Sequence, residues 1–197
     1  MTFRLGLTGS IGMGKSATAA IFARRGIPVW DADRAVRRLY AKGGAATGAM
    51  AVLAPDVVLD GAVSKDRLVA AIARDAGLLD RVEAIVHPLV RDDRERFAVE
   101  TAADIAVFDI PLLYETGAEA EFDAVAVVSA PPDVQRARVL ARPGMDTTRF
   151  EAILARQLPD ADKCARADFV IPTTTPDAAS RAVDEILRQI EKRLAHA

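Results

Sequence analysis

Residues Gly9-Ser-Ile-Gly-Met-Gly-Lys-Ser16 satisfy the spacing G-x-x-x-x-G-K-S/T in full. A run of this kind is built to hold a polyphosphate. Its glycines reach backbone angles closed to other residues and let an anion approach the main chain. Lys15 can reach β- and γ-phosphates, and the Ser16 hydroxyl is a hard oxygen donor suited to Mg²⁺. Acidic groups supply the other half of phosphoryl chemistry. In Trp30-Asp-Ala-Asp33, one carboxylate could hold metal-bound water while the other accepts a proton from an attacking hydroxyl. Two residues apart in an extended segment, Asp31 and Asp33 are expected to project to one side. A structural role, Asp33 capping a helix that starts at Arg34, is compatible with that chemistry. Asp109 closes the apolar run Ile105–Phe108, where a further acidic group near Mg²⁺ is expected. Arg136, Arg138 and Arg142 lie on a predicted helix closed by Pro143-Gly144. Arg138 and Arg142 are four apart and share a face, so on a mobile lid they could neutralise a phosphoryl group in flight. His87 carries no partner in the sequence and reads first as structural, and His196 near the end of the sequence is given no role. Cys164 reads as a passenger on a helix.

The elements that must position these groups follow from the apolar pattern. Short runs at Leu5–Thr8, Pro28–Trp30, Ile105–Ile110, Ala124–Val128 and Phe169–Ile171 alternate with longer helical stretches. Ile105–Phe108 and Val125–Val128 are almost continuously apolar, as strands buried on both faces of a parallel sheet must be. The natural architecture is therefore a right-handed β-α-β sheet. The first strand feeds the glycine run, which opens a helix near Ala17–Arg25 and aims backbone N–H groups and the helix dipole at one spot. In open α/β sheets ligands bind beyond the carboxyl ends of the strands, so the acidic groups are expected in the same crevice. Residues 34–100 show no convincing strand pair and read as a helical insertion, broken at Gly43-Gly44, Pro55 and Gly61. Pro176-Asp177 opens a last helix with one apolar face: Ala179, Val183, Ile186, Leu187, Ile190 and Leu194. Thr173-Thr-Thr175 reads as the loop before it.

Composition bounds the class. A chain of 197 residues with 51% hydrophobic residues, 27% charged residues and a net charge of −2 suits one ordinary globular domain. Nothing in the charge balance points to nucleic acid or to a membrane. The apolar runs are shorter than a membrane span, and no secretory signal is expected at the N-terminus. A single cysteine forms no internal disulfide and suits a cytoplasmic location.

Taken together, Leu7-Thr-Gly-Ser-Ile-Gly-Met-Gly-Lys-Ser16, Asp31-Ala-Asp33, His87-Pro-Leu89, Pro111-Leu-Leu-Tyr-Glu115, Arg138 with Arg142, and Gln157 followed by Lys163 and Ala167-Asp168 resemble the dephospho-coenzyme A kinases. The resemblance runs along nearly the whole chain. It implies a three-layer P-loop NTPase fold of the α/β class, with a parallel sheet, a helical acceptor-binding insertion and a lid. The parts it implies are a core of residues 1–33, 101–136 and 166–197, an acceptor-binding lobe at 34–100, and a lid at 137–165. The implied reaction moves the γ-phosphoryl of ATP, with Mg²⁺, to the ribose 3′-hydroxyl of dephospho-CoA. Catalysis would fall to Asp33, Lys15, Arg138 and Arg142. The nucleotide would be held by Thr8, Gly9, Ile11, Gly12, Met13, Gly14, Lys15, Ser16 and Ala17. The acceptor would meet Asp31, Asp33, His87, Pro111 and Leu112, and the metal Ser16, Asp31 and Asp109. The implied partner is a small molecule, with the chain a monomer or weak homo-oligomer. Rival readings are another P-loop kinase for nucleosides or nucleotides, and a nucleotide-dependent switch. The latter lacks an Asn-Lys-x-Asp guanine signature here. The chain departs from the resemblance at Ser10, Met13 and Ala17. It departs again at Ile171-Pro-Thr-Thr174, where proline removes an N–H near the expected adenine position.

Overall fold

Two strands that the sequence marks as almost continuously apolar flank the central strand of the molecule's main sheet. The computed structural model describes residues 2–196. β1 (Phe3–Thr8) pairs in parallel with β5 (Ile105–Asp109) on one side and β6 (Ala124–Ser129) on the other; β7 (Phe169–Pro172) pairs in parallel with β6. With β2 (Val29–Asp31) beyond β5, the strand order is β2-β5-β1-β6-β7. The register sets Leu7 opposite Asp109 and Thr8 opposite Val127, so three strands end side by side where the glycine run begins. β5 is buried throughout, and β6 is buried from Ala124 to Val128, because helices cover both faces.

Helix α1 (Lys15–Arg24) packs against α9 (Pro176–Leu194), and α9 packs on β7. Their apolar faces close a core of Leu5, Leu7, Phe22, Val107, Ile171, Val183, Ile186 and Ile190. Each such side chain contributes about 1.5–3 kcal/mol on burial. α9 begins as its sequence expects. Thr175 Oγ1 accepts from the Ala178 N–H at 3.1 Å, and Pro176 fills the first helical position, where no N–H is needed. Between β6 and β7 lie α6 (Pro132–Leu140), α7 (Thr147–Leu154) and α8 (Asp160–Arg166).

The chain divides into two compact units, one running up to Trp30 and from Thr101 onward, the other Asp31–Glu100. The second is helical: α2 (Ala32–Tyr40), α3 (Thr47–Leu53), α4 (Lys65–Arg74) and α5 (Leu78–Glu100). It has its own core of Leu39, Met50, Val57, Leu68, Leu78, Val82 and Val86. Contrary to the expectation of no strand pair, it holds an antiparallel hairpin of β3 (Val58–Leu59) and β4 (Ala62–Val63). Asp60 (φ 49°) and Gly61 (φ 79°) form its turn, the Asp-Gly pairing that tight hairpins favour. Strands of two residues are too short to show a period in sequence. No helix among the described residues is long and apolar enough to cross a membrane.

Candidate functional site

The glycine run leaves β1 at Thr8 and enters α1 at Lys15. Gly14 is the N-cap of that helix, with φ 87° and ψ 17°, and no side chain caps the first turn. Helix amides left without a side-chain cap, at the positive end of a helix dipole, form a ready anion site. Gly12 also has a positive φ of 80°, and a Cβ there would lie 2.5 Å from Val139 Cγ2 on α6. Among the described residues Asp60 is the non-glycine residue with positive φ, so Ser10 and Met13 take ordinary angles. Met13 fits into the loop with its side chain buried. Its Sδ accepts from the Ala130 N–H at 3.2 Å.

Five further hydrogen bonds brace the loop. The Met13 N–H donates to Ser10 O at 3.1 Å. The Ile11 N–H donates to Gln157 Oε1 at 3.0 Å, and Gln135 Nε2 donates to Ile11 O at 2.7 Å. Thr173 Oγ1 donates to Met13 O at 2.7 Å. Thr8 is fully buried, and its Oγ1 donates to Pro111 O at 3.2 Å, which ties the start of the loop to the turn after β5.

Charge gathers at the same strand ends. Lys15 and Asp109 form an ion pair whose side chains are 15% and 6% exposed. The register of β1 against β5 is what brings Asp109 beside the loop. Arg138 is half-buried. Its guanidinium donates to Thr173 O at 2.6 Å and to Thr173 Oγ1 at 3.3 Å. Arg142 does not share the α6 helix with Arg138, as the sequence suggested, because α6 stops at Leu140 ahead of the Pro143-Gly144 break. Both arginines nevertheless line one cavity of about 480 Å³, together with Gly12, Gly14, Ala17 and Thr173. Ser16 and Ala17 are exposed on the first turn of α1. Pro111 is half-buried, and Leu112 is exposed on the turn that follows β5.

Asp31, Asp33 and His87 belong to the helical unit. Asp31 closes β2 with an extended backbone (φ −121°, ψ 116°) and caps α2: the Arg34 N–H donates to Asp31 Oδ1 at 2.8 Å. The capping residue is thus Asp31 and not Asp33, and the helix starts at Ala32 and not at Arg34. The expectation that the two carboxylates share one side of an extended segment is corrected with it, since Asp33 sits in the first helical turn. The stronger competitor was the extended-to-helix switch itself, which a three-residue window does not reveal. Asp33 is exposed there, as is His87 on α5, directly before the in-helix Pro88.

A second charge pair lies under the turn after β5. Lys163 of α8 is fully buried, and its Nζ lies 2.7 Å from Glu115 Oε1. The Leu158 N–H donates to the same oxygen at 2.9 Å. Burial pushes the Glu115 carboxyl up, but the Lys163 ammonium and the Leu158 amide outweigh it and hold the group below its ordinary range.

Residues 3–177 match the family model of CoaE, dephospho-CoA kinase. The chain belongs to the dephospho-CoA kinase family. The dephospho-CoA kinase of Ruegeria pomeroyi is 58% identical over 197 residues, which is 100% of both chains. A crystal structure of TT1252 from Thermus thermophilus superposes with a TM-score of 0.83 at 31% identity, over 95% of this chain and 97% of that one. Dephospho-CoA kinase from Campylobacter jejuni shares the fold, with a TM-score of 0.71 at 22% identity over 98% of this chain and 100% of that one. The α/β fold with its parallel sheet is therefore that of the dephospho-CoA kinase family, as the sequence resemblance implied.

Sequence reasoning did not foresee that Gln135, Gln157 and Thr173 hold the glycine loop from outside it, although Gln157 was among the residues carrying the resemblance. Gln135 is buried at 6% exposure on a helix otherwise marked by its arginines. A buried glutamine needs a partner, but nothing in its local spacing says which. Thr173 lay in a run read as the loop before the last helix and as a departure near the expected adenine position.

Proposed function

We propose that this chain is an ATP-dependent kinase that phosphorylates the ribose 3′-hydroxyl of dephospho-CoA, giving coenzyme A and ADP as the last step of coenzyme A synthesis. The observation that carries the reading is the uncapped, lysine-bearing helix start that opens on the arginine-lined cavity, in a chain of this family. The triphosphate lies in the loop of Gly9, Ile11, Gly12, Met13, Gly14, Lys15, Ser16 and Ala17, held mainly by main-chain N–H groups other than that of Ile11, which Gln157 takes, with Thr8 at the loop's base. Asp33 takes the proton of the 3′-hydroxyl. The freed oxygen bonds to the γ-phosphorus, and the bond from that phosphorus to the bridging oxygen breaks, its electron pair leaving with ADP. Lys15, Arg138 and Arg142 offset the charge that spreads over the phosphoryl oxygens. In this reading residues 34–100 form the acceptor lobe, where Asp31 and His87 meet dephospho-CoA alongside Pro111 and Leu112 of the core. Residues 137–165 act as a lid that excludes water, so that hydrolysis does not compete.

The residues fit Mg²⁺. Ser16 and Asp109 are hard oxygen donors, the hydroxyl exposed at the helix start and the carboxylate at the adjoining strand end. Among the described residues no group of three or more His, Cys, Asp or Glu side chains is set to hold a metal by itself. An ion bound jointly by protein, phosphates and water matches such a sparse set. Ser16, Asp31 and Asp109 are the residues that would hold it, and the ion would supply charge neutralisation on the phosphates. We infer a cytoplasmic setting from the lone Cys164, and a monomer or weak homo-oligomer that binds neither nucleic acid nor membrane.

A coupled assay of ADP release tests the reading. With ATP and Mg²⁺, ADP release should depend on dephospho-CoA and be weak with nucleosides or nucleoside monophosphates. Slow release indifferent to dephospho-CoA would overturn it.

A further inference from the structure

The proposed nucleotide site is made of peptide groups, and each peptide has two ends. A phosphate oxygen is attracted by an N–H and repelled by a C=O, so a glycine-rich loop serves an anion only if its peptides face the right way. Glycines make that orientation soft, because their φ and ψ turn at little cost. Something outside the loop must set it.

The Ile11–Gly12 peptide shows what does so. Gln135 Nε2 donates to Ile11 O at 2.7 Å. A peptide is planar and trans, so its N–H points opposite to its C=O. Ile11 O held toward Gln135 therefore turns the Gly12 N–H away from Gln135. Gly12 lines the cavity that Arg138 and Arg142 share, and Gln135 does not. The preceding peptide is fixed at both ends: Ser10 O accepts from the Met13 N–H at 3.1 Å, and the Ile11 N–H donates to Gln157 Oε1 at 3.0 Å. The Ile11 amide is thus already used, while its carbonyl is drawn off to the far side.

We propose that Gln135 is a positioning residue for phosphoryl transfer: it anchors the Ile11 carbonyl away from the anion so that the Gly12 N–H faces the nucleotide phosphates, with Gln157 holding the preceding peptide. The two glutamines do this from different elements, Gln135 just ahead of the proposed lid and Gln157 within it. Gln135 sits on α6 before the Pro143-Gly144 break. Gln157 sits between α7 and α8, next to Leu158, whose N–H is anchored on Glu115. Ile11 and Gln157 are 146 residues apart in sequence, so the brace exists only in the folded chain. The inference rests on the kinase reading above.

The test is kinetic, on Gln135→Met and Gln135→Glu. Methionine keeps the volume and loses the donor; glutamate keeps the shape and turns a charged acceptor toward Ile11 O. KM for ATP should rise about tenfold in Gln135→Met, the scale of one lost hydrogen bond to a charged group, and further in Gln135→Glu. KM for dephospho-CoA should stay within about twofold. A purely structural role would instead lower the melting temperature and move both KM values. A folded Gln135→Met with the parental KM for ATP overturns the proposal. Amide NMR on the unaltered chain decides the matter if neither variant folds. Titration with ADP should shift the Gly12 N–H strongly downfield and leave the Ile11 N–H nearly unmoved, and the reverse pattern also overturns the proposal. An unaltered chain that releases no dephospho-CoA-dependent ADP refutes the kinase reading itself, a failure distinct from that of the brace.

Discussion

At the scale of single residues, the proposed reaction assigns charge and proton transfer to different groups. Lys15 is paired with Asp109 and largely enclosed, which fixes an ammonium at the helix start. Asp33 is exposed in the first turn of α2, where a carboxylate also favours the helix dipole. Its carboxylate is free of the capping duty, which Asp31 performs. Asp33→Asn should therefore leave the fold and ATP binding nearly intact while turnover falls by about 10²-fold or more, the scale of a lost general base. Steady-state kinetics beside ATP titration check this, and near-parental turnover would remove Asp33 from the reaction. Much of this scale was legible beforehand. The glycine run, Lys15, Ser16 and the acidic positions announce themselves by type and spacing, because their use of backbone and dipole is local. The choice of Asp31 as cap was not legible, since Asp31 and Asp33 are equally good capping types.

At the scale of elements, helix α6 sets how the loop lies. A Cβ on Gly12 would stand 2.5 Å from Val139 Cγ2 and 3.0 Å from Gln135 O, at a φ of 80°. Gly12→Ala should cost about 1–3 kcal/mol and weaken ATP binding. Gly43 offers the control: its φ is 74°, and nothing lies within 4 Å of the same added carbon. Gly43→Ala should show the backbone cost alone, about 1 kcal/mol. Thermal unfolding of both compares them, and equal losses would mean that α6 does not press on the loop. Strands and long helices were legible because buried runs and one-sided apolar faces repeat over many residues. The β3–β4 hairpin escaped notice because each of its strands has only two residues. Arg142 was drawn into α6 by its four-residue spacing from Arg138, yet the helix stops at Leu140, short of the residue that precedes Pro143.

At the scale of the whole molecule, stability couples to the buried pair of Glu115 and Lys163. A carboxyl held below its ordinary range adds stability above its unfolded pKa and loses it as pH falls through the folded value. The ordinary value is 4.5, so the loss belongs below that pH. Glu115→Gln leaves Lys163 buried without its counter-charge and should cost about 3 kcal/mol near neutral pH. The gap between variant and parent should narrow as pH drops below 4.5. Urea unfolding across that range measures it, and a gap that does not change with pH would sever the pair from acid stability. The division into a sheet-bearing unit and a helical unit is also a property of this scale. The sequence hinted at it through the missing apolar runs between Trp30 and Ile105.

The amino-acid order by itself determined whatever depends on neighbours along the chain: the glycine cradle, the helix that follows it, the apolar strands and the opening of α9 at Pro176. It also carried the family resemblance, because those motifs are contiguous. Sheet topology let the sequence place Asp109 in the crevice of the glycine loop, but only the tertiary structure decided which distant atoms would pair. Lys15 and Asp109 are 94 residues apart, Gln135 and Ile11 124, and Thr173 and Met13 160. Such pairs are set by sheet order and register, which arise from burying apolar surface over the whole chain. Spacing along the backbone holds no record of them.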